Sequence, residues 1–282
     1  MTITERRPVF VVRAGGATDT GLHRAHNEDS YLVASPVFVV ADGMGGHTRG
    51  LAASSAVVAA FEELARADWV SSDALHAAVV AASESVDAMA EHGNHPGSTL
   101  AGVALTHQAG RPYWLAFNIG DSRVYLLRGE ALEQVSVDHS RVQELLESGT
   151  PASRITVGRN IITRAIGGGG DGVPVLDQWL VPAMAGDRVL VCSDGLSGEV
   201  TDLLMLATLV EQRDPQSGAR ALVAAALAAG GRDNVTAVVI DALDVRAAEE
   251  GCADDADTLG DEAWVSTTSD DTIPMGHGWE QR

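Results

Sequence analysis

The chain has 282 residues, 45% of them apolar and 21% charged, with a formal charge of −20. That balance is ordinary for a water-exposed globular protein. No run approaches the roughly 20 apolar residues of a membrane span, and an acidic body lacks the basic footprint that nucleic-acid phosphates require. The opening MTITERRPVF has two arginines but no apolar stretch behind them, so a secretory leader is not expected and a cytoplasmic location is. Cys192, inside the apolar RVLVCSDG, and Cys252, in an acidic segment, form neither a disulfide framework nor a thiolate zinc site.

In chain order, PVFVVRA, SYLVAS and VFVVA read as strands. Two Ala-rich segments with apolar residues at three- and four-residue spacing, about 49–67 and 72–90, read as helices. GVALTHQ, YWLAFNIG, SRVYLLRG and ALEQVSV follow as an antiparallel meander, and 140–148 is a short helix opening on a Ser cap. Residues 150–172, ending in GGGGDG, are expected to be a loop-rich, mobile insertion. Strands LDQWLVPA and DRVLVCSDG, helices at about 202–212 and 216–229, and a last strand NVTAVVIDAL complete the pattern. Runs of strands followed by runs of helices predict an α+β fold. From Asp241 onward twelve acids face two arginines, and 247–282 has few periodic apolar positions, so a body over 1–246 and a disordered acidic tail are expected.

VFVVADGMGGH poses the chemical question. An apolar strand delivers Asp42 into a glycine-rich turn, and VLVCSDG repeats the arrangement at Asp194. Asp121 and Asp233 precede further strands, and Glu28 and Asp29 open another. Any one Asp-Gly is ordinary turn chemistry. Six acids at strand ends can instead be aimed at one point, where like charges repel and each resists burial. A divalent cation relieves both costs, and an all-oxygen set without matching His or Cys favours Mg²⁺ or Mn²⁺ over Zn²⁺. The glycines after Asp42 let backbone approach such a site, with the Gly43 carbonyl as a further donor. Other readings fail on spacing: Thr48 stands where a dinucleotide fingerprint needs its third Gly, there is no phosphate-binding GxxxxGK[ST], and GLSGE is not GxSxG. Cys192 also lacks the downstream Arg of a cysteine-dependent phosphatase.

TDTGLHRAHNEDS, VVADGMGGH, GSTL, NIGDSRVYLLRG, VDHS, NIITRAIG, VLVCSDGLSGEV and GRDNVTAVV, in that order over about residues 9–241, resemble the metal-dependent Ser/Thr protein phosphatases of the protein phosphatase 2C family in its bacterial form. The resemblance implies a four-layer α-β-β-α sandwich, two central antiparallel sheets flanked by helices, with a two-metal site at one end. It implies that Asp42 bridges both cations and Gly43 lends its carbonyl. Asp194 and Asp233 would bind one cation, and Glu28 and Asp29 would hold water around the metals. Arg24 would grip substrate phosphate, and Asp121 with Asp194 would hold a third ion. It also implies hydrolysis of phosphoserine and phosphothreonine by water bridging two Mn²⁺ or Mg²⁺ ions, without a covalent intermediate, against a cytosolic Ser/Thr kinase.

Met44 occupies the position where animal relatives carry a candidate proton-donating His, leaving His26, His47 or a water on a third ion as stand-ins. Residues 141–172 resemble the family's flap, shortened over 141–159, with Arg141, Arg154, Arg159 and Arg164 as candidate substrate contacts. In the tail, Thr267 and Thr268 each precede an Asp by three residues, a spacing suited to a forkhead-associated partner if phosphorylated. The alternatives are an inactive phosphoprotein-binding scaffold, against which the full set of acids argues, and a two-metal esterase acting on small phosphate esters.

Overall fold

The computed structural model describes residues 7–45, 48–91, 93–156, 158, 161–170, 172–248 and 265–267. The first half runs β1 (Val9–Asp19), β2 (Asp29–Ala34), β3 (Val37–Met44), α1 (Thr48–Glu62) with a 3₁₀ turn at Glu63–Arg66, α2 (Ser72–Asp87), β4 (Gly97–Ser98), β5 (Leu100–Gln108), β6 (Arg111–Ile119), β7 (Arg123–Arg128) and β8 (Ala131–Gln134). The second half runs α3 (Arg141–Glu147), a 3₁₀ turn at Ala152–Arg154, β9 (Ile166–Gly167), β10 (Asp177–Pro182), β11 (Arg188–Cys192), α4 (Asp194–Ser197), α5 (Asp202–Glu211), α6 (Pro215–Ala229), β12 (Val235–Arg246) and β13 (Val265–Thr267).

One sheet has the order β1-β12-β11-β7-β8, the other β13-β10-β6-β5-β3-β4-β9 with β2 added on β3, and every pairing is antiparallel. The α+β sandwich expected from the sequence is the one observed. Side chains alternate across a strand, so a strand covered on both faces must be apolar at every position. In β3, Phe38 and Val40 enter the core between the sheets, while Val37, Val39 and Ala41 pack under α1 and α2. In β11, Val189 and Val191 face between the sheets and Leu190 and Cys192 face α5 and α6. Continuous apolar runs therefore mark the strands with helices behind them.

Helix starts obey local chemistry. Ser71, Ser140, Thr201 and Asp214 each accept a backbone N–H three residues on, and Pro215 follows Asp214 at the first helical position. Several elements depart from expectation. The strand at 131–137 stops at Gln134, because Ser136 turns its hydroxyl to the Val124 N–H. GSTL contributes the short β4, and a helical turn begins at Asp194. The region 150–172 contains the 3₁₀ turn and β9, which pairs with β4. Of the tail, only 247–248 and β13, placed against β10, are described. Among the described residues no helix is long and apolar enough to cross a membrane.

Candidate metal centre

Register brings the acids together. Asp29 opens β2 directly across from Asp42 near the end of β3. Gly43 donates its N–H to the Glu28 carbonyl at 3.2 Å, and a Cβ on Gly43 would collide with the Gly50 carbonyl. This position demands glycine because two backbones meet there. GSTL clamps the Asp42 backbone: Thr99 Oγ1 accepts the Asp42 N–H at 3.0 Å, Thr99 N–H donates to the Asp42 carbonyl at 2.9 Å, and Ser98 Oγ donates to it at 3.1 Å.

Asp194 follows β11 as the first residue of α4. Asp233 precedes β12, and its neighbour Asn234 staples the two halves of the chain. The Asn234 amide donates to the Thr20 and His26 carbonyls at 2.8 and 2.9 Å, while its oxygen accepts the Glu28 N–H at 2.9 Å. A Cβ on Gly195 would strike the Asn234 carbonyl, so the VLVCSDG and GRDNV motifs touch there. Asp121 sits in the turn after β6. The Gly120 N–H donates to His139 Nδ1 at 2.9 Å, and the His139 N–H returns a bond to the Gly120 carbonyl at 2.8 Å.

The electrostatics are those of unneutralised carboxylates sharing one space. Burial pushes Asp29 up to about 7, and the charges of Asp194 and Asp233 add to it against hydrogen bonds from Thr236 and Ser193. Asp42, though partly exposed, is raised well above the carboxylate range by burial and by Asp29, Asp194, Asp121 and Asp233. Burial and Asp194 lift Asp121 to about 7, and burial and Asp233 raise Asp194. Four buried carboxylate oxygens, Glu28 Oε1, Asp29 Oδ1, Asp121 Oδ1 and Asp194 Oδ1, have no hydrogen-bond partner. Bare buried acceptors are costly, and a hard cation is the partner that suits an all-oxygen set. Among the described residues no three carboxylates already close into a finished ligand set. Asp233 is turned onto Arg24, with Nη2 and Oδ2 2.6 Å apart. The donors fit divalent cations in kind.

Arg24 is half-exposed. Burial works against its charge, but Asp233, Asp42 and Asp194 together hold its pKa above the ordinary value. The guanidinium therefore stands at the mouth of the acidic cluster. The Gly43 carbonyl lies near Gly50, itself packed on the Glu28 carboxylate.

The flap candidates divide. Arg164 donates to Asp177 at 2.6 Å and to the Val175 carbonyl at 3.2 Å, and Asp177 also meets His139 Nε2 at 3.0 Å. Arg164 is thus committed to the base of the flap. Arg141 pairs with Glu144 at 2.8 Å on the surface, and Arg154 is exposed in its 3₁₀ turn. Arg159 and His47 lie outside the described residues. Reading the acids alone passed over Thr18, Asn27, Thr99, His139, Ser193, Asn234 and Thr236. All of them lie in or beside the motifs that carry the acids, so proximity in sequence was their only signal.

The sequence profile of the family described as Protein phosphatase 2C matches residues 23–229. Over 247 residues, 84% of this chain, it is 39% identical to the serine/threonine protein phosphatase PstP of Mycobacterium tuberculosis, but spans only 46% of that protein's length. It is 31% identical over 245 residues to the serine/threonine phosphatase stp of Listeria innocua, covering 79% of this chain and 93% of that one. Among solved structures, the M. tuberculosis phosphatase PstP/Ppp superposes with a TM-score of 0.74 at 35% identity, covering 84% of this chain and 100% of that one. The PstP catalytic domain in complex with two manganese ions superposes with a TM-score of 0.72 at 37% identity and the same coverage.

Proposed function

Because the chain belongs to the protein phosphatase 2C family, we propose that it hydrolyses phosphoserine and phosphothreonine on protein substrates. The observation that carries the reading is the set of bare oxygens on Glu28, Asp29, Asp121 and Asp194, gathered with Asp42 beside Arg24. Asp42, Asp194, Asp233 and the Gly43 carbonyl are the proposed direct ligands of two Mn²⁺ or Mg²⁺ ions, with Glu28 and Asp29 holding the surrounding water. Asp121 with Asp194 offers a third position. Two such cations would acidify water for attack and neutralise the phosphoryl oxygens.

The protein's own part is to bind and orient. Arg24 is paired with Asp233 at the edge of the acidic cluster. With Asp233 held by a cation, the planar fork of Arg24 would be free to bond two phosphate oxygens. Water adds to phosphorus, the bond from phosphorus to the serine or threonine oxygen breaks, and that oxygen must gain a proton. Met44 cannot supply one, so His26 and His47 are the side chains to test. A cytoplasmic setting, an opposing Ser/Thr kinase and a forkhead-associated partner for the phosphorylated tail complete the proposal. The last rests on sequence spacing alone.

The test is hydrolysis of a phosphothreonine peptide with Mn²⁺, with Mg²⁺ and with EDTA. Turnover is expected with metal only and lost in Asp42→Ala and Asp233→Ala. Arg24→Ala should lower kcat/KM about 10–100-fold, the worth of a charged hydrogen bond to phosphate. Folded protein that binds Mn²⁺ yet hydrolyses no phosphopeptide would favour the scaffold reading.

A further inference from the structure

Asp29 is the most heavily anchored of the acids, and its anchoring has a direction. Ser193 Oγ donates to Asp29 Oδ2 at 2.8 Å while accepting the Thr236 N–H at 3.0 Å. Thr236 Oγ1 donates to the same carboxylate oxygen at 2.6 Å. A hydroxyl has a single proton, so in its 2.7 Å contact with Thr18 Oγ1 Thr236 must accept and Thr18 must donate. Thr18 Oγ1 in turn accepts the Asn27 amide at 2.8 Å. The other end of that amide, Asn27 Oδ1, accepts the backbone N–H of Asp29 at 3.1 Å. The circuit starts at the Asp29 N–H and ends on its carboxylate, each donor facing the next acceptor in one direction, with the last protons on Oδ2. Oδ1 is left buried and without a partner, in the space shared with Asp42 and Asp194.

We propose that Thr236, Ser193, Thr18 and Asn27 are positioning residues for metal binding: their one-way donor chain fixes the Asp29 carboxylate so that Oδ1 alone is presented to the cation site. The inference rests on the metal-dependent reading above and adds to it a specific orienting device. Its physical basis is cooperative. Hydrogen bonds in series polarise one another, and the last acceptor is charged, where such bonds are strongest. The chain joins β1, β2, β12 and the residue that follows β11, so it draws on both sheets to hold one side chain. A polar cluster that merely stabilised this junction would contribute to melting temperature and leave metal affinity alone.

Titration calorimetry of Mn²⁺ into the metal-free protein separates the two roles. Thr236→Val keeps the shape and removes both donor and acceptor. It should bind Mn²⁺ about 10–100-fold more weakly, the usual cost of losing an outer-shell hydrogen bond at a metal site. Thr236→Ser, which restores the hydroxyl, should recover most of that loss, and Thr236→Val should add little once Asp29→Asn is already in place. Unchanged affinity in folded Thr236→Val overturns the proposal, and so does Thr236→Ser binding as weakly as the valine variant. If Thr236→Val does not fold, Thr18→Val at an exposed position removes the preceding link: weaker Mn²⁺ binding supports the proposal and unchanged binding overturns it. A wild-type protein that binds no Mn²⁺ fails the metal reading first, a different result from metal binding insensitive to the hydroxyls.

Discussion

At the scale of single residues, the site is a concentration of negative charge that register and hydrogen bonds hold in one space. The raised Asp29 carboxyl makes this measurable. Its pKa of about 7, against an ordinary 3.8, means the native protein keeps a proton that the unfolded chain has already released. Stability therefore falls as pH rises from about 4 through 7 and levels off above that. In EDTA, Asp29→Asn, neutral at every pH, should lack this part of the slope. Its melting temperature relative to wild type should climb between pH 5 and pH 8, and Mn²⁺ should reverse the advantage at pH 8. Melting curves that run parallel across that range would show that Asp29 carries no such penalty.

At the scale of elements, strands and flap are tied by side chains that sequence periodicity does not reveal. His139 accepts from Gly120 beside Asp121 and meets Asp177, which also holds Arg164. Burial raises the Asp177 carboxyl, but His139 and Arg164 more than offset it, and the net pKa is lowered. The Arg141 and Thr163 N–H groups close the flap base onto the Ile161 and His139 carbonyls at 2.9 and 2.8 Å. Asp177→Ala takes the carboxylate from both His139 and Arg164, leaving Arg164 only the Val175 carbonyl, a loss of about 1–3 kcal/mol. Hydrogen exchange at the Arg141 and Thr163 amides should accelerate roughly tenfold or more, while amides in β11 keep their protection. Unchanged exchange at both positions would mean the flap base is held by something else.

Across the whole molecule, the end of the sandwich away from the acids has its own fastening. Asp187, almost fully buried, takes two bonds from Arg128 at 2.8 Å, one from Trp114 Nε1 at 3.0 Å and one from the Met184 N–H at 2.9 Å. Arg128 belongs to the five-stranded sheet and Trp114 to the other, so one carboxylate rivets the two together. Removing it leaves Trp114 Nε1–H and the Met184 N–H without their acceptor and Arg128 with only the Pro182 carbonyl, a combined cost of about 3–5 kcal/mol. At about 2–4 °C per kcal/mol for a domain of this size, Asp187→Ala should melt roughly 6–20 °C lower. Its Mn²⁺ affinity should stay unchanged, since Asp187 lies at the opposite end of the strands. A parallel loss of metal affinity would show that the two ends are coupled.

The sequence by itself determined the strands buried on both faces, because VFVVA and VLVC have no polar position to spare for water. It also determined the helix starts and the set of acids, because capping and strand-end carboxylates are local signals written in adjacent residues. Only the tertiary structure decided which groups meet. Thr18 lies 218 positions from Thr236, and Ser193 lies 164 from Asp29; their hydroxyls read as ordinary surface or strand residues until two sheets are stacked. Likewise Asp233, written as one more acid, is turned onto Arg24, 209 positions away, and Arg164 is bound to Asp177. A hydrogen bond between distant strands depends on register and packing, which the residue types around each partner do not encode.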